Sequence, residues 1–190
     1  QMVYLPKGKM RSYSHASSSF SMYEMAFSAS VNGQNLMEAL NLTTSNFVVD
    51  ILQRIKTSWE TDYSWVTIEI TNREDVCFYL SEDVLQVVFD NLILNSVQQN
   101  DDRNHLRITI SASLIEGKLT LTYRDDGKGL AQKYKDNPRD ILAVHETTRK
   151  NGHGLGMWIV NNTVVMSGGE IGSISGQNGF SIELTIGGAE

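Results

Sequence analysis

The chain has 190 residues, 41% of them hydrophobic and 20% charged, which is the balance of a soluble globular protein long enough for one full core plus an appendage. A net charge of -6 without any basic run argues against a nucleic-acid partner. The single cysteine, Cys77, cannot form an internal disulfide, no Cys/His pairs stand at zinc spacing, and no run of about 18 apolar residues offers a membrane span.

Residues 1 to 45 differ from the rest. Ser12 to Ser19 is Ser-rich and without a clear period, and Phe20, Met22, Tyr23, Met25 and Phe27 follow. This part reads as an N-terminal appendage or inter-domain connection, and residues 46–190 as the main domain. A helix is expected over about 44 to 59, with Thr44 or Ser45 as its cap and Phe47, Val48, Ile51, Leu52 and Ile55 on one face. Val66, Ile68 and Ile70 alternate with polar residues as in a half-buried strand, and Val76, Phe78 and Leu80 repeat the pattern. Ser81 is placed to cap a helix over 82 to 99. Two alternating strands follow, around Leu106 to Ile110 and Leu119 to Tyr123, with Glu116-Gly117-Lys118 as the turn. A long polar segment spans 130 to 151. A helix over about 154 to 167 and two closing strands, Ile171 to Ser175 and Phe180 to Ile186, complete the chain. Strands and helices do not alternate one for one, which disfavours a doubly wound parallel sheet. The expected fold is α+β: a two-layer sandwich with a mixed, mostly antiparallel sheet covered on one face by about three helices.

Three local patterns carry chemistry. Asn91 and Asn95 are four apart and share a helix face, and a carboxamide oxygen is a neutral, hard ligand suited to Mg²⁺. Alone, the pair reads as exposed Asn on an amphipathic helix. Asp125 ends a strand and precedes Gly127 and Gly129, so its carboxylate can accept an adenine amino group beside bare backbone. Alone, it reads as an Asp-Gly turn. Gly152-His153-Gly154-Leu155-Gly156 opens an apolar helix, whose first N–H groups and dipole suit phosphate oxygens. Alone, it reads as a hinge. No Gly-Lys-Ser/Thr follows and no hydrophobic strand leads in, so it matches neither a P-loop nor a dinucleotide fingerprint.

In this order and on these element types, the three patterns resemble the Bergerat-type ATP-binding fold shared by sensor histidine kinases, DNA gyrase B, Hsp90 and MutL, over about residues 46 to 190. The histidine-kinase catalytic domain is the most similar. Its N box, Asn-Leu-x-x-Asn-Ala, is Asn91-Leu92-Ile93-Leu94-Asn95-Ser96 here. Its Asp-x-Gly-x-Gly box is Asp125 to Gly129, and its Gly-x-Gly-Leu-Gly-Leu box is Gly152 to Met157. Ile141 to Arg149 resembles the segment that ends Thr-Thr-Lys in that family; here it ends Thr147-Thr148-Arg149 and lacks the phenylalanines. The resemblance implies that Asn95 holds Mg²⁺ with Asn91 beside it, and that Asp125 reads adenine between Gly127 and Gly129. It implies that Gly152, His153, Gly154, Leu155 and Gly156 surround the phosphates. Residues 130 to 151 would form a lid from which Thr148 and Arg149 reach the nucleotide. Gln98 replaces a phosphate-touching Lys found in many relatives.

The same resemblance separates two chemistries. Hsp90, gyrase B and MutL carry a Glu four residues before the Mg²⁺ Asn, as general base for water. Asn91 stands there instead, and an amide cannot take a proton from water. A neutral imidazole is already nucleophilic and needs no such base. The expected function is therefore transfer of the γ-phosphate of Mg-ATP to a histidine, with catalytic roles for Asn91, Asn95 and Arg149. The alternatives are an ATP-driven conformational switch and a degenerate nucleotide-binding module. None of His15, His105, His145 and His153 sits in an acceptor-like context, so the phosphoacceptor is expected on a domain outside these residues, with a response regulator as a further partner. Cysteine usage, a lone Cys77 with no internal disulfide, makes the reducing cytoplasm the expected compartment, and direct membrane contact is unexpected for this segment; no signal-peptide pattern follows Gln1-Met2. A membrane anchor elsewhere in a longer protein is compatible with this.

Overall fold

The computed structural model describes residues 45–71, 76–143 and 155–187. The appendage expected over 1–45 lies, Ser45 aside, outside the described residues. The elements run β1 (Ser45–Phe47), α1 (Val48–Asp62), β2 (Val66–Ile70), β3 (Cys77–Tyr79), α2 (Glu82–Gln99), β4 (Leu106–Ile115), β5 (Lys118–Asp125), two 3-10 turns (Gln132–Tyr134 and Pro138–Leu142), α3 (Gly156–Met166), β6 (Glu170–Ser175) and β7 (Ser181–Ile186).

Five strands form one sheet in the order β2-β4-β5-β7-β6. β2 and β4 are parallel, because α2 lies between them in the chain and carries the crossover that parallel neighbours require. The other neighbours are antiparallel. The β4–β5 hairpin closes on Glu116 (φ 52) and Gly117 (φ 75), the pair of positive angles that a two-residue turn needs to match strand twist. Alternation decides which face is covered. Leu106, Ile108 and Ile110 of β4, Leu119, Leu121 and Tyr123 of β5, and Ile182, Leu184 and Ile186 of β7 are buried in one core with the helices. Arg107 and Arg124 between them are exposed. The α+β two-layer architecture expected from the pattern is the one observed.

α2 is the central helix. Ser81 caps it, its Oγ accepting the Asp83 N–H at 3.3 Å, and Glu82 and Asp83 in the first turn complement the dipole. Val84, Leu85, Val88, Phe89, Leu92 and Ile93 are all essentially inaccessible, because the sheet lies beneath α2 while α1 and α3 flank it. Burying each such side chain contributes about 1.5–3 kcal/mol. Asn91 and Asn95 are half-buried on this helix, which removes the exposed-face alternative for the pair.

Two expectations are corrected. Ser45 does not start the first helix as its cap, and Thr44 lies outside the described residues. Ser45–Phe47 pairs antiparallel with Cys77–Tyr79 in a separate two-stranded sheet, and Val48 N–H donates to the Val76 carbonyl at 2.9 Å as α1 begins. Cross-strand pairing thus claims residues that helical periodicity alone had assigned to the helix, and it takes β3 out of the main sheet. Of the segment 130–151 only residues 130–143 are described, and these are not a purely polar lid. Leu130, Tyr134 and Ile141 are buried in a small second cluster against Met157, Ile174 and Phe180. Arg139 donates to the carbonyls of Ile171 and Gly172 at 2.9 and 2.7 Å. Residues 130–143 are therefore anchored to α3 and β6, since three apolar side chains in a polar stretch suffice to pin it.

Candidate functional site

The site is assembled where the C-terminal end of β5 meets the faces of α2 and α3. Asp125 is the last residue of β5 and only 2% exposed. A buried carboxylate must be well supplied with donors. Its Oδ1 accepts the N–H of Gly127 at 2.8 Å and of Phe180 at 3.0 Å, and its Oδ2 accepts the Ser96 hydroxyl at 2.5 Å. Ser96 in turn accepts the Tyr123 hydroxyl at 2.7 Å. Burial, together with the adjacent Asp125 charge, pushes the Tyr123 phenol well above its ordinary value, so it remains a donor.

The loop after Asp125 is built from close backbone approaches. Gly127 lies against the buried Asn100, where a Cβ would come within 2.4 Å of the Asn100 side chain. Asn100 clamps the loop to the end of α2: its Nδ2 donates to the Ser96 carbonyl at 2.7 Å and its Oδ1 accepts Lys128 N–H at 2.9 Å. Asn100→Ala strips the Lys128 N–H of its acceptor. It is expected to lower stability by about 1–3 kcal/mol, read as the shift in a denaturant unfolding midpoint. Gly129 (φ +71) would place a Cβ 2.2 Å from the Gly176 carbonyl. The Asp125 loop thus nests into the β6–β7 turn, with no room for a side chain between them. Lys128 Nζ is paired with Asp102 at 2.6 Å, which holds that exposed carboxyl below its ordinary range.

The phosphate-side glycines converge on the Asn pair. Gly156, the first residue of α3, approaches α2 so closely that a Cβ would lie 3.2 Å from Asn95 Nδ2 and 3.5 Å from Asn91 Oδ1. Asn91 Nδ2 donates to the Val87 carbonyl at 2.7 Å, which directs its other amide atom, the oxygen, towards Gly156. Both carboxamides are hard oxygen donors beside a helix N-terminus, a donor set that fits Mg²⁺ and phosphate together. The neighbouring carboxylate, Asp90, is held on the α1 side by Trp59 Nε1 at 2.7 Å and Gln86 Nε2 at 2.8 Å.

Of the residues expected in the site, Asn91, Asn95, Asp125, Gly127, Gly129, Leu155 and Gly156 are placed around this junction, Leu155 at the N-cap of α3. Thr148, Arg149, Gly152, His153 and Gly154 lie outside the described residues. The structure adds Ser96, Tyr123, Asn100, Phe180, Gly176 and Gly179. Ser96 had one visible signal, as a polar residue in an apolar stretch of α2; the others had none, because their partners are remote in sequence.

Residues 80–187 match the family model described as histidine kinase-, DNA gyrase B- and HSP90-like ATPase. The chain is 34% identical over 104 residues to the sensor histidine kinase ZraS of Escherichia coli (strain K12), across 55% of this chain but only 21% of that protein. It therefore spans about a fifth of the length of the curated relatives it matches. The fold is similar to the catalytic domain of histidine kinase ThkA (TM-score 0.64, 17% identity, 76% of this chain and 95% of that one). It is also similar to the Acinetobacter baumannii histidine kinase AdeS (TM-score 0.64, 18% identity, 93% and 79%). The chain belongs to the family of histidine kinase-, DNA gyrase B- and HSP90-like ATPases.

Proposed function

We propose that this chain is the ATP-binding catalytic domain of a sensor histidine kinase, with residues 46–190 as one unit, transferring the γ-phosphate of Mg-ATP to a histidine on another domain or chain. The observation that carries the reading is Asn91. It faces the first residue of α3 with an amide, at the position where a hydrolytic relative would need a carboxylate base. Asp90 cannot substitute, since Trp59 and Gln86 hold it away on the α1 side.

In this reading Asp125 accepts the adenine amino group, and Gly127 and Gly129 let the base approach backbone. Asn95 would hold Mg²⁺, with Asn91 beside it near the phosphates, and the ion when bound neutralises and orients the phosphate charge. Gly152, His153, Gly154, Leu155 and Gly156 surround the phosphates at the start of α3, with Thr148 and Arg149 approaching from the segment before it. Catalysis is then positioning and charge neutralisation, and the acceptor imidazole supplies the nucleophile. A response regulator is the downstream partner and the cytoplasm the compartment. No described helix is long and apolar enough to cross a membrane.

The test is incubation of the full-length protein with γ-labelled ATP and Mg²⁺. The expected product is protein-bound label that is acid-labile and base-stable, as phosphohistidine is. Free phosphate with no protein label would instead identify a conformational-switch ATPase. Failure to bind ATP would leave a degenerate module.

A further inference from the structure

The hydrogen-bond chain behind Asp125 has a direction set by chemistry. A carboxylate only accepts, so the Ser96 hydroxyl must donate its single hydrogen to Oδ2 at 2.5 Å. Ser96 is then left with lone pairs, and it takes the Tyr123 hydrogen at 2.7 Å. All three residues are at least 95% inaccessible: Tyr123 is 1%, Asp125 2% and Ser96 4% exposed. Tyr123 is held in place by Phe89 and Phe180, with ring centroids 6.5 and 6.3 Å away. With the N–H groups of Gly127 and Phe180 on Oδ1, protein donors occupy three of the carboxylate's roughly four lone-pair sites. The carboxylate cannot turn without breaking one of them, and it offers a ligand one further acceptor and no donor.

We infer that Ser96 and Tyr123 are positioning residues that make the pocket selective for a 6-amino purine nucleotide over a 6-oxo one. The relay Tyr123–Ser96–Asp125 presents a single, fixed acceptor. A 6-amino group donates to it, whereas a 6-oxo group opposes it with its own lone pairs. Neither Ser96 nor Tyr123 touches the base; they act through Asp125. The inference rests on the ATP-binding reading above.

The test measures the ratio of dissociation constants for ITP and ATP, which differ in the 6-substituent and the N1 proton, by calorimetry on the protein and its variants. Wild type is expected to favour ATP. Ser96→Ala removes a hydrogen bond to a charged group and is expected to lower the ITP/ATP ratio about tenfold or more. Tyr123→Phe keeps the ring and is expected to lower the ratio about three- to tenfold. Ser96→Thr, which retains the hydroxyl, restores it. A purely structural role would weaken ATP and ITP equally and leave the ratio unchanged, and that result overturns the relay while sparing the ATP site. Wild type binding neither nucleotide overturns both. If Ser96→Ala does not fold, Tyr123→Phe and Ser96→Thr decide the matter.

Discussion

Asp125→Asn is expected to reduce ATP affinity about ten- to a hundredfold while leaving the backbone trace in place, because the change is isosteric. One carboxylate oxygen becomes an NH₂ group, and neither amide orientation is tolerated. With nitrogen at the Oδ1 position, two N–H groups, Gly127 and Phe180, face a donor. With nitrogen at Oδ2, the Ser96 hydrogen loses its acceptor and a donor faces the adenine amino group. Only the bond to the adenine amino group is lost from binding, and a hydrogen bond to a charged partner contributes about 1.5–3 kcal/mol, a factor of about ten to a hundred in affinity, while the bonds lost within the protein lower stability instead. Calorimetric titration of ATP against wild type and variant at fixed Mg²⁺ measures this directly. An affinity within about threefold of wild type would mean that Asp125 does not read the base.

Gly179→Ala is expected to be the most damaging small substitution in the described structure, costing about 3 kcal/mol or more. Gly179 has φ +82, a conformation that a β-carbon strains, and the added Cβ would lie 1.9 Å from the Asp125 carbonyl oxygen. Relief requires moving either Asp125 or Phe180. The two are joined by Asp125 N–H to Phe180 carbonyl at 2.8 Å and by Phe180 N–H to Asp125 Oδ1 at 3.0 Å. The substitution therefore attacks fold and nucleotide site together. Gly117→Ala is the control: its φ of +75 is similar, but nothing lies within 4 Å of the new Cβ. Only backbone strain remains there, about 1–2 kcal/mol. Denaturant unfolding of both variants separates the contributions. Equal losses would show that the close approach of the β6–β7 turn to Asp125 carries no energy of its own.

The amino-acid sequence by itself determined most of the element types and singled out the residues proposed to line the pocket. Period-two alternation in β2, β4, β5 and β7 reports directly which side chains face the core, so the strands and the one-sided helix layer were legible. Ser81 followed by two acidic residues marked the start of α2 to the residue. The Asn pair, Asp125 and the glycine clusters were legible because their spacing is local: each lies within one turn or one loop. The absence of a carboxylate at Asn91, on which the proposed choice of transfer to imidazole over hydrolysis rests, was likewise visible in a single position.

Tertiary structure alone decided what surrounds those residues. Phe180 lies 55 positions from the carboxylate it donates to, Ser96 lies 29, and Gly179 meets the same residue's carbonyl from the β6–β7 turn. No local pattern encodes such contacts, since they exist only after β5, β7 and α2 have packed. The same holds for the first turn of α1, where pairing of β1 with β3 overrides the helical period, and for residues 130–143, whose three buried side chains find their partners on α3, β6 and β7. Local spacing identified the groups that would meet a nucleotide. Packing between remote segments supplied the donors that hold Asp125 still, and fixed it as an acceptor.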